Sequence, residues 1–418
     1  MSIGYACKLV GVKNTDTKTC VLKNATSEKI IELSKHNLYS LNNIIDYNIS
    51  NNIKLFRISS DIIPFGSSEI NKTRWWEIFS DELTLLGNKI KSSNMRVSMH
   101  PGQYTVLNSN NDDVVKRAVE DLVYHARVLD GMQLDSRHKI VLHIGGAYDN
   151  KTLATQRFIE NYKELDEKIK NRLVIENDDK IYTAEEVLEI GNKLSIPVIF
   201  DNLHNLLNPS SQNLSEKYWI EQCKHTWKKK DGNQKIHYSQ QAENKIKGTH
   251  SDFITVKGFK SFYDMIPRPD LDIMLEVKDK NLSCIKCINS TNSNISINEL
   301  EKEWSKYKYT VMERSQKNYL SIKELLKYKQ NYSAVSFYTL IEDSLKSYGS
   351  TESYSNSALH VWGYFKTKAT DKEKDNFFKI LESYKTSQTS ITSVKNNLNK
   401  LSEKYKEDYL LNSYYFAL

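Results

Sequence analysis

The segment LVIENDDKIYTAEEVLEIGNKLSIPVIFDNLH, residues 173–204, decides the fold of the N-terminal part of the chain. Short apolar runs at its two ends, Leu173–Glu176 and Val198–Asp201, have the length and composition of buried strands. Between them, the apolar residues of Glu185–Leu194 are spaced for one buried helical face. This order of strand, helix and strand indicates a βα unit with parallel strands.

The same alternation continues on both sides of this segment. Amphipathic windows such as Glu28–Asn48 and Asp112–Asp130 separate further apolar runs. Eight strands are predicted: Ile3–Tyr5, Leu55–Ile58, Val97–His100, Ile140–His143, Leu173–Glu176, Val198–Asp201, Lys235–His237 and Ile273–Glu276. Eight such repeats favour an α/β fold of the closed (β/α)8 TIM-barrel type over an open doubly wound sheet. Because no G-x-G-x-x-G follows the first strand, a dinucleotide-binding sheet has little support.

A change of composition separates this barrel from the rest of the chain. Asn, Ser and Thr crowd together in residues 288–298, which indicates a linker between a barrel domain, residues 1–287, and a second domain, residues 299–418. Asn298 and Glu301 resemble a capping pair that opens a helix. The second domain is predicted to be small and all-α, with helices in the windows Glu299–Tyr307, Gln316–Tyr328, Ala334–Ser347, Asn356–Tyr364, Lys372–Tyr384 and Val394–Tyr405.

The overall composition is that of a globular protein. Of the 418 residues, 39% are hydrophobic and 27% are charged. No apolar stretch is long enough for a membrane span, and the start lacks the pattern of a signal peptide, so we expect a cytoplasmic protein without a membrane partner. The lone C-x-x-C of Cys284 and Cys287 has no second pair, which favours reduced thiols over a metal or redox site. The net charge of +7 is compatible with a nucleic-acid partner.

Histidines and acids close, or directly follow, most of the predicted strands. Parallel strands of a barrel deliver their carboxyl ends to one mouth, and imidazole and carboxylate groups there suit zinc, manganese or iron. Taken singly, each has another interpretation, such as a core histidine, a hydrogen-bonded acid or an exposed loop residue. Their coincidence at one rim instead predicts a site for two or three divalent ions that activate a water and clamp a phosphate. The predicted ligands are His100, His143, Glu176, Asp201, His204, His237, His250 and Glu276.

The segment RVSMHPGQY, residues 96–104, adds a different signal at the same mouth. Pro101 and Gly102 predict a sharp turn after the third strand, which leaves Gln103 and Tyr104 at a loop tip. A tyrosine ring offers a face for stacking on a base, and a glutamine amide offers both a donor and an acceptor. An ordinary exposed turn is the alternative interpretation.

Lys235 and His237 alternate on the seventh strand, so both side chains are expected to face the barrel interior. A lysine buried beside metal ligands requires a lowered pKa or a chemical modification. The residues themselves leave these two possibilities open.

Together these motifs resemble the UV damage endonuclease family. The resemblance runs from Gly4 through Glu276 and is carried by long, ordered motifs: Phe56-Arg57-Ile58-Ser59-Ser60 with Pro64, His100-Pro101-Gly102-Gln103-Tyr104, His143-Ile144-Gly145-Gly146-Ala147-Tyr148, Leu173 to Asp179 and Phe200-Asp201 with His204. It implies a (β/α)8 barrel that nicks DNA immediately 5′ to ultraviolet photoproducts with a cluster of manganese-type ions. The tail from about Leu300 resembles an uncharacterised helical domain that is also attached to desulfurase-like proteins.

The resemblance also implies residue roles. The family's metal ligands match the eight predicted above, and Lys235 matches a lysine that is carboxylated in some members. Tyr5, Gln103 and Tyr104 match residues that probe the damaged dinucleotide. Some members carry an asparagine shortly after the first aromatic residue, whereas this chain has Lys8-Leu9 at that place.

The sequence therefore predicts a metal-dependent endonuclease that acts on damaged double-stranded DNA. Glu176, Glu276 and Lys235 are expected to serve catalysis, and Arg57 is expected to bind backbone phosphates. The helical domain is expected to bind an unidentified partner. A metal-dependent sugar isomerase or epimerase of TIM-barrel type, and a non-catalytic lesion-binding protein, are the rival hypotheses, and the nicking of irradiated DNA distinguishes them.

Overall fold

The chain forms two compact units in a computed structural model that describes residues 1–211, 214–266, 269–329 and 332–418. The first unit comprises Met1–Leu9, Lys13–Ile254 and Tyr263–Ile285, and the second comprises Val10–Val12, Thr255–Phe262 and Lys286–Leu418. Within those residues, no helix is both long enough and apolar enough to cross a membrane.

Eight parallel strands build the sheet of the first unit: β1 (Ile3–Ala6), β2 (Leu55–Ile58), β3 (Arg96–Met99), β4 (Lys139–His143), β5 (Leu173–Glu176), β6 (Val198–Ile199), β7 (Gln234–Tyr238) and β8 (Leu271–Leu275). Their order is β6-β5-β4-β3-β2-β1-β8-β7. A single parallel bridge, Asp201 to His237, links the two end strands, and the His237 amide donates to the Phe200 carbonyl at 3.0 Å. The sheet is thus a nearly closed barrel, and the predicted (β/α)8 fold is confirmed.

Helices alternate with these strands: α1 (Ser27–Ser50), α2 (Trp75–Ile78), α3 (Ser80–Ser92), α4 (Asp112–Gly131), α5 (Lys151–Lys163), α6 (Glu167–Lys170), α7 (Ala184–Leu194), α8 (Asn202–Leu207), α9 (Glu216–Lys224), α10 (Val256–Met265) and α11 (Asn281–Thr291). Local sequence fixes their starts. In α7, the Thr183 side chain accepts from the Glu186 amide while the Glu186 carboxylate accepts from the Thr183 amide, so two otherwise unpaired N–H groups are satisfied.

Three strands end earlier than the sequence predicted, and one of them is β8, which stops at Leu275 instead of Glu276. His100 lies outside β3, because the Pro101 that follows it cannot donate to the ladder. Asp201 lies outside β6, because it is the N-cap of α8, where its carboxylate accepts from the His204 amide at 2.8 Å. All three departures place a polar side chain directly after a strand, at the carboxyl end of the barrel.

The second unit is helical, with α12 (Ile297–Arg314), α13 (Gln316–Lys327), α14 (Ala334–Lys346), α15 (Thr351–Trp362), α16 (Asp371–Lys385), α17 (Ile391–Lys404) and α18 (Asp408–Leu411). The predicted capping pair Asn298–Glu301 is wrong: the capping box is Ser296 with Glu299, because Ser296 has the extended backbone of a cap. Residues 288–291 of the predicted linker continue α11, so the non-helical stretch is shorter than expected. Trp362 stacks on Phe377 in the core of this unit, with ring centroids 4.5 Å apart.

Candidate metal centre

Glu176 lies at the middle of a cluster of histidines at the barrel mouth. β5 ends on this residue, whose side chain is 1% exposed. One carboxylate oxygen lies 2.8 Å from His237 Nδ1, and the other lies 3.3 Å from His100 Nε2 and 3.8 Å from His143 Nε2. Ligand atoms of Glu176, His100 and His143 lie within 4.8 Å of one another, and so do those of Glu176, Asp201 and His237. Glu176 therefore belongs to both candidate metal sites.

The remaining predicted ligands extend this cluster without a gap. His204 Nδ1 lies 3.7 Å from both a Glu176 oxygen and an Asp201 oxygen. Glu276 lies 3.4 Å from His237 Nδ1, and His250 Nε2 lies 3.9 Å from Glu276. The structure thus brings all eight predicted ligands to one place, although they come from different strand ends along the chain.

Three buried polar atoms of this cluster lack partners within the described part of the chain: Asp201 Oδ2, His237 Nε2 and His143 Nδ1. A buried polar atom without a hydrogen bond costs on the order of 1–3 kcal/mol. His237 uses Nδ1 towards Glu176, which leaves the Nε2 lone pair free to bind a cation. This combination of imidazole nitrogens and carboxylate oxygens fits a divalent transition-metal ion.

The electrostatics of the cluster also favour a cation. Burial raises the pKa of Asp201 to about 6, although His204 opposes this shift. Burial disfavours a charged His204, but the Asp201 and Glu176 carboxylates raise its pKa to about 9. Burial lowers the pKa of His100 to about 4. Without ions, a proton on His204 therefore balances part of the charge of the Asp201 and Glu176 carboxylates, and a divalent ion would replace that proton.

Asn177, next to Glu176, fixes the neighbouring strand end. Its side chain donates to the Asp201 carbonyl at 3.1 Å and accepts from the Asp201 amide at 2.9 Å, and its own carbonyl lies 2.9 Å from His204 Nδ1. Such outer contacts orient ligands at metal centres.

Lys235 and Arg57 are cationic side chains that interact with acids of the cluster, Lys235 with Glu176 and Arg57 with Glu276. Lys235 is buried on β7, and burial, together with the nearby Arg96 and Arg57, lowers its pKa far below the usual range. Arg57 forms an ion pair with Glu276 and is only 15% exposed. Its predicted role as a phosphate ligand stays a prediction, because the structure shows its guanidinium committed to an acid of the cluster.

A family model described as UV-endonuclease UvdE matches residues 1–308. This chain belongs to that family. The match spans the whole barrel and all eight residues of the cluster. A second model, described as a protein of unknown function (DUF1722), matches residues 308–418, the greater part of the helical unit. Membership of the UvdE family places the chain among the DNA repair endonucleases.

Individual relatives support this assignment. The UV DNA damage endonuclease of Clostridium perfringens (strain 13 / Type A) is 39% identical over 388 residues, which cover 91% of this chain and 92% of the relative. That of Bacillus cereus (strain Q1) is 33% identical over 273 residues, covering 65% of this chain and 86% of the relative. The crystal structure of SacUVDE matches with a TM-score of 0.65 at 37% identity and covers 69% of this chain and 96% of that one.

The mouth of this UvdE barrel opens into a cavity of about 1070 Å³. Its wall includes His100 and Glu276 from the cluster, and also Gln103 and Tyr104. Tyr104 is 81% exposed at the tip of its loop, as the sequence predicted. The next residue anchors this loop, because the Thr105 hydroxyl donates to Asp121 at 2.6 Å.

Tyr5 does not join these residues. It is fully buried in β1, its ring packs against Phe56, and its hydroxyl donates to Asn48 at 2.7 Å. The prediction that Tyr5 touches a damaged dinucleotide therefore needs correction: here it is a core residue whose polar end is already satisfied.

Sequence reasoning missed the network that holds the His100 backbone. The Ser60 hydroxyl donates to the His100 carbonyl at 2.6 Å, and His125 Nε2 lies 2.9 Å from the same hydroxyl. His125 is a buried residue of α4. The sequence contains no signal for this contact, because the partners are 40 and 65 residues apart.

Proposed function

We propose that this protein nicks damaged duplex DNA immediately 5′ to ultraviolet photoproducts, namely cyclobutane dimers and 6-4 products, and also acts at abasic sites. The products would be a 3′-hydroxyl and a 5′-phosphate. The observation that carries the proposal is the Glu176 cluster, which lies at the mouth of a cavity whose rim bears the exposed Tyr104. We further expect the protein to work in the cytoplasm.

The eight clustered residues would hold two or three divalent ions, for which we propose Mn²⁺. His100 and His143 would serve one site, Asp201 and His237 a second, and Glu176 would contact both. Bound ions there supply an activated water and neutralise charge on the scissile phosphate. Glu276, which forms an ion pair with Arg57, would supply a further carboxylate ligand.

Lys235 would contribute as a carboxylated residue. Its lowered pKa supports this proposal, because an unprotonated amine is the form that reacts with CO₂. The amine would add to CO₂ and release a proton, and the product is an additional carboxylate on β7, the strand that also carries His237.

Recognition would begin with the unstacking of the lesion. A damaged dinucleotide stacks and pairs poorly, so its extrusion costs less than that of intact bases. Tyr104 would stack in the gap and Gln103 would hydrogen-bond to exposed base edges, because both lie at the tip of the loop after β3.

The test is an end-labelled duplex with a single cyclobutane dimer, incubated with the metal-free protein plus Mn²⁺, Mg²⁺ or chelator. We expect one cut directly 5′ to the dimer with Mn²⁺, none with chelator, and none in the unirradiated duplex. His100→Ala should be inactive, whereas Leu153→Ser, at an exposed position on α5, should match wild type. A wild-type protein that leaves the dimer duplex intact under every ion would overturn the proposal and restore the two rival hypotheses.

A further inference from the structure

A second apolar tip stands on the opposite side of the barrel mouth from Tyr104. The loop after β7, residues 241–250, carries Ile246, whose side chain is 85% exposed. In the eight-strand order, β3 and β7 are four strands apart in either direction around the barrel, so the loops that follow them face each other across the mouth. The two most exposed large apolar or aromatic side chains of the first unit, Ile246 and Tyr104, thus flank the metal cluster.

This loop, which we call the Ile246 loop (residues 241–250), is stiffened by hydrogen bonds. The Gln241 side chain donates to the Ile246 carbonyl at 3.1 Å and accepts from the Gly248 amide at 2.8 Å. The Ala242 amide donates to the Thr249 carbonyl at 2.8 Å. A side chain that must push into a base stack needs such a rigid support, because a loose loop would lose entropy on binding.

The Ile246 loop lies close to two of the candidate metal ligands. It ends at His250, one of the clustered ligands. It also packs near α8, since a Cβ on Gly248 would lie 3.5 Å from Leu207, and Leu206 beside it is 70% exposed. α8 in turn contains the ligand His204.

The charges of the loop suit a polyanion. Lys245 and Lys247 flank Ile246 and are exposed, while Glu243 is the one acid in the loop. An apolar side chain between two cations is the arrangement by which architectural proteins push a wedge between base pairs and hold the adjacent phosphates. An isolated exposed isoleucine would need no such explanation, but this one is rigidly held, basic on both sides and next to a metal ligand.

We propose that the Ile246 loop is a DNA wedge: Ile246 enters the base stack of the lesion-bearing duplex, and Lys245 and Lys247 bind the flanking phosphates. The inference rests on the proposed function and adds a second contact, opposite the Gln103–Tyr104 loop. Because Ile246 and Tyr104 lie on opposite sides of the clustered ligands, they would unstack the duplex from two directions. The scissile phosphate would then lie between them, next to the ligands.

The experiment compares two substrates. One is a fully paired duplex with a single thymine dimer, and the other holds the same dimer opposite a non-complementary bubble that is already unstacked. Ile246→Ser should lower kcat/KM about tenfold on the paired duplex, the size expected for losing one buried aliphatic contact, and less than twofold on the bubble. Ile246→Met should restore the paired rate, and the exposed helix control Leu153→Ser should change neither.

The lysines give an independent readout. The double variant Lys245→Gln/Lys247→Gln should weaken binding to both substrates equally and reduce the slope of log affinity against log salt by about 1.8, or about 0.9 per phosphate contact. Bound-ion content should stay at the wild-type value in all of these variants, which shows that His250 is still in place.

The outcomes separate the two proposals. If wild type cuts neither substrate, the proposed function fails. If wild type cuts and Ile246→Ser cuts like wild type on both substrates, or loses the same factor on both, the wedge is wrong while the nuclease stands.

Discussion

Both ends of the barrel bury charged side chains, but they differ in how many of the buried polar atoms have a partner. At the amino end, Lys139 and Asp231 pair at 2.5 Å, and the Lys139 ammonium also donates to the Asn171 carbonyl. Arg96 and Asp272 pair there at 3.0 Å. At the carboxyl end, Asp201 Oδ2 and His237 Nε2 are buried with no partner among the described residues. The buried charges at the amino end are satisfied by each other, whereas the unpartnered atoms at the carboxyl end would be satisfied by a bound cation.

The largest difference between the ends should appear in catalysis. Glu176→Gln removes the charge that both candidate sites share, so we expect nicking to fall by about 10³-fold or more, as several kcal/mol of ion-mediated stabilisation is lost. Thermal stability should be unchanged or higher. The matched change Glu164→Gln, at an exposed glutamate, should leave the rate unaltered. Single-turnover rates and bound-ion content measure both effects, and wild-type turnover by Glu176→Gln would remove that residue from the centre.

At the amino end, a substitution should lower stability and leave catalysis unchanged. Lys139→Met leaves Asp231 buried without its cation, so the free energy of unfolding should fall by about 3–5 kcal/mol. The folded fraction should nick at the wild-type rate. Urea unfolding, with activity measured below the transition, tests this. Lys139→Met/Asp231→Leu should recover most of the loss, and a defect in turnover of the folded single variant would contradict the division between the two ends.

Protons should compete with ions only at the carboxyl end. Because the pKa of His204 is raised to about 9 and that of Asp201 to about 6, His204 is protonated and Asp201 ionised between those values in the metal-free protein. Ion binding displaces one proton there, so affinity should rise about tenfold per pH unit from pH 6 to 9 and level off above it.

Calorimetry in buffers of different ionisation enthalpy counts these displaced protons. His204→Asn should flatten the slope, while His360→Asn, at an exposed position of the helical unit, should keep it. A pH-independent affinity in wild type would show that His204 does not ligate.

The smallest expected effect concerns stability at the amino end. Burial lowers the pKa of His138 to about 4, and its Nδ1 accepts from the Val97 amide at 3.1 Å. The unfolded chain binds this proton near pH 6.5, so stability is complete above that value and falls as the pH drops towards 4, by on the order of 2 kcal/mol. His138→Asn can still accept from Val97 and should lose this pH dependence. Unfolding curves at pH 7 and 5 that differ equally for both proteins would refute the assignment.

The sequence was sufficient where one local rule applied. Strand periodicity located all eight strands, and the convergence of parallel strand ends placed His100, His143 and Glu176 in one cluster. Errors arose where a distant partner decides the outcome. Tyr5, expected to touch a damaged dinucleotide, is buried instead, and its hydroxyl donates to Asn48, 43 residues away.

Helix starts show the same limit at short range. Asn298–Glu301 and Ser296–Glu299 have the same spacing, and only backbone geometry distinguishes them. β6 is also shorter than predicted because Asp201 is the N-cap of α8. The backbone there turns into a helix and does not continue the strand. Spacing therefore predicted which residues lie together at the barrel mouth, but not always which hydrogen bonds they form.

The narrowest pairing of the barrel, between β6 and β7, is made by Asp201 and His237, two of the candidate ligands. The two residues that close the barrel are thus also candidate metal ligands. Ion binding should therefore stabilise the pairing between β6 and β7. Deuterium uptake at Val198–Ile199 and Gln234–Tyr238 should slow when ions are added, while β2 and β3, joined by a full ladder, should not respond. The availability of metal ions would then determine how stably the barrel of this repair enzyme is closed.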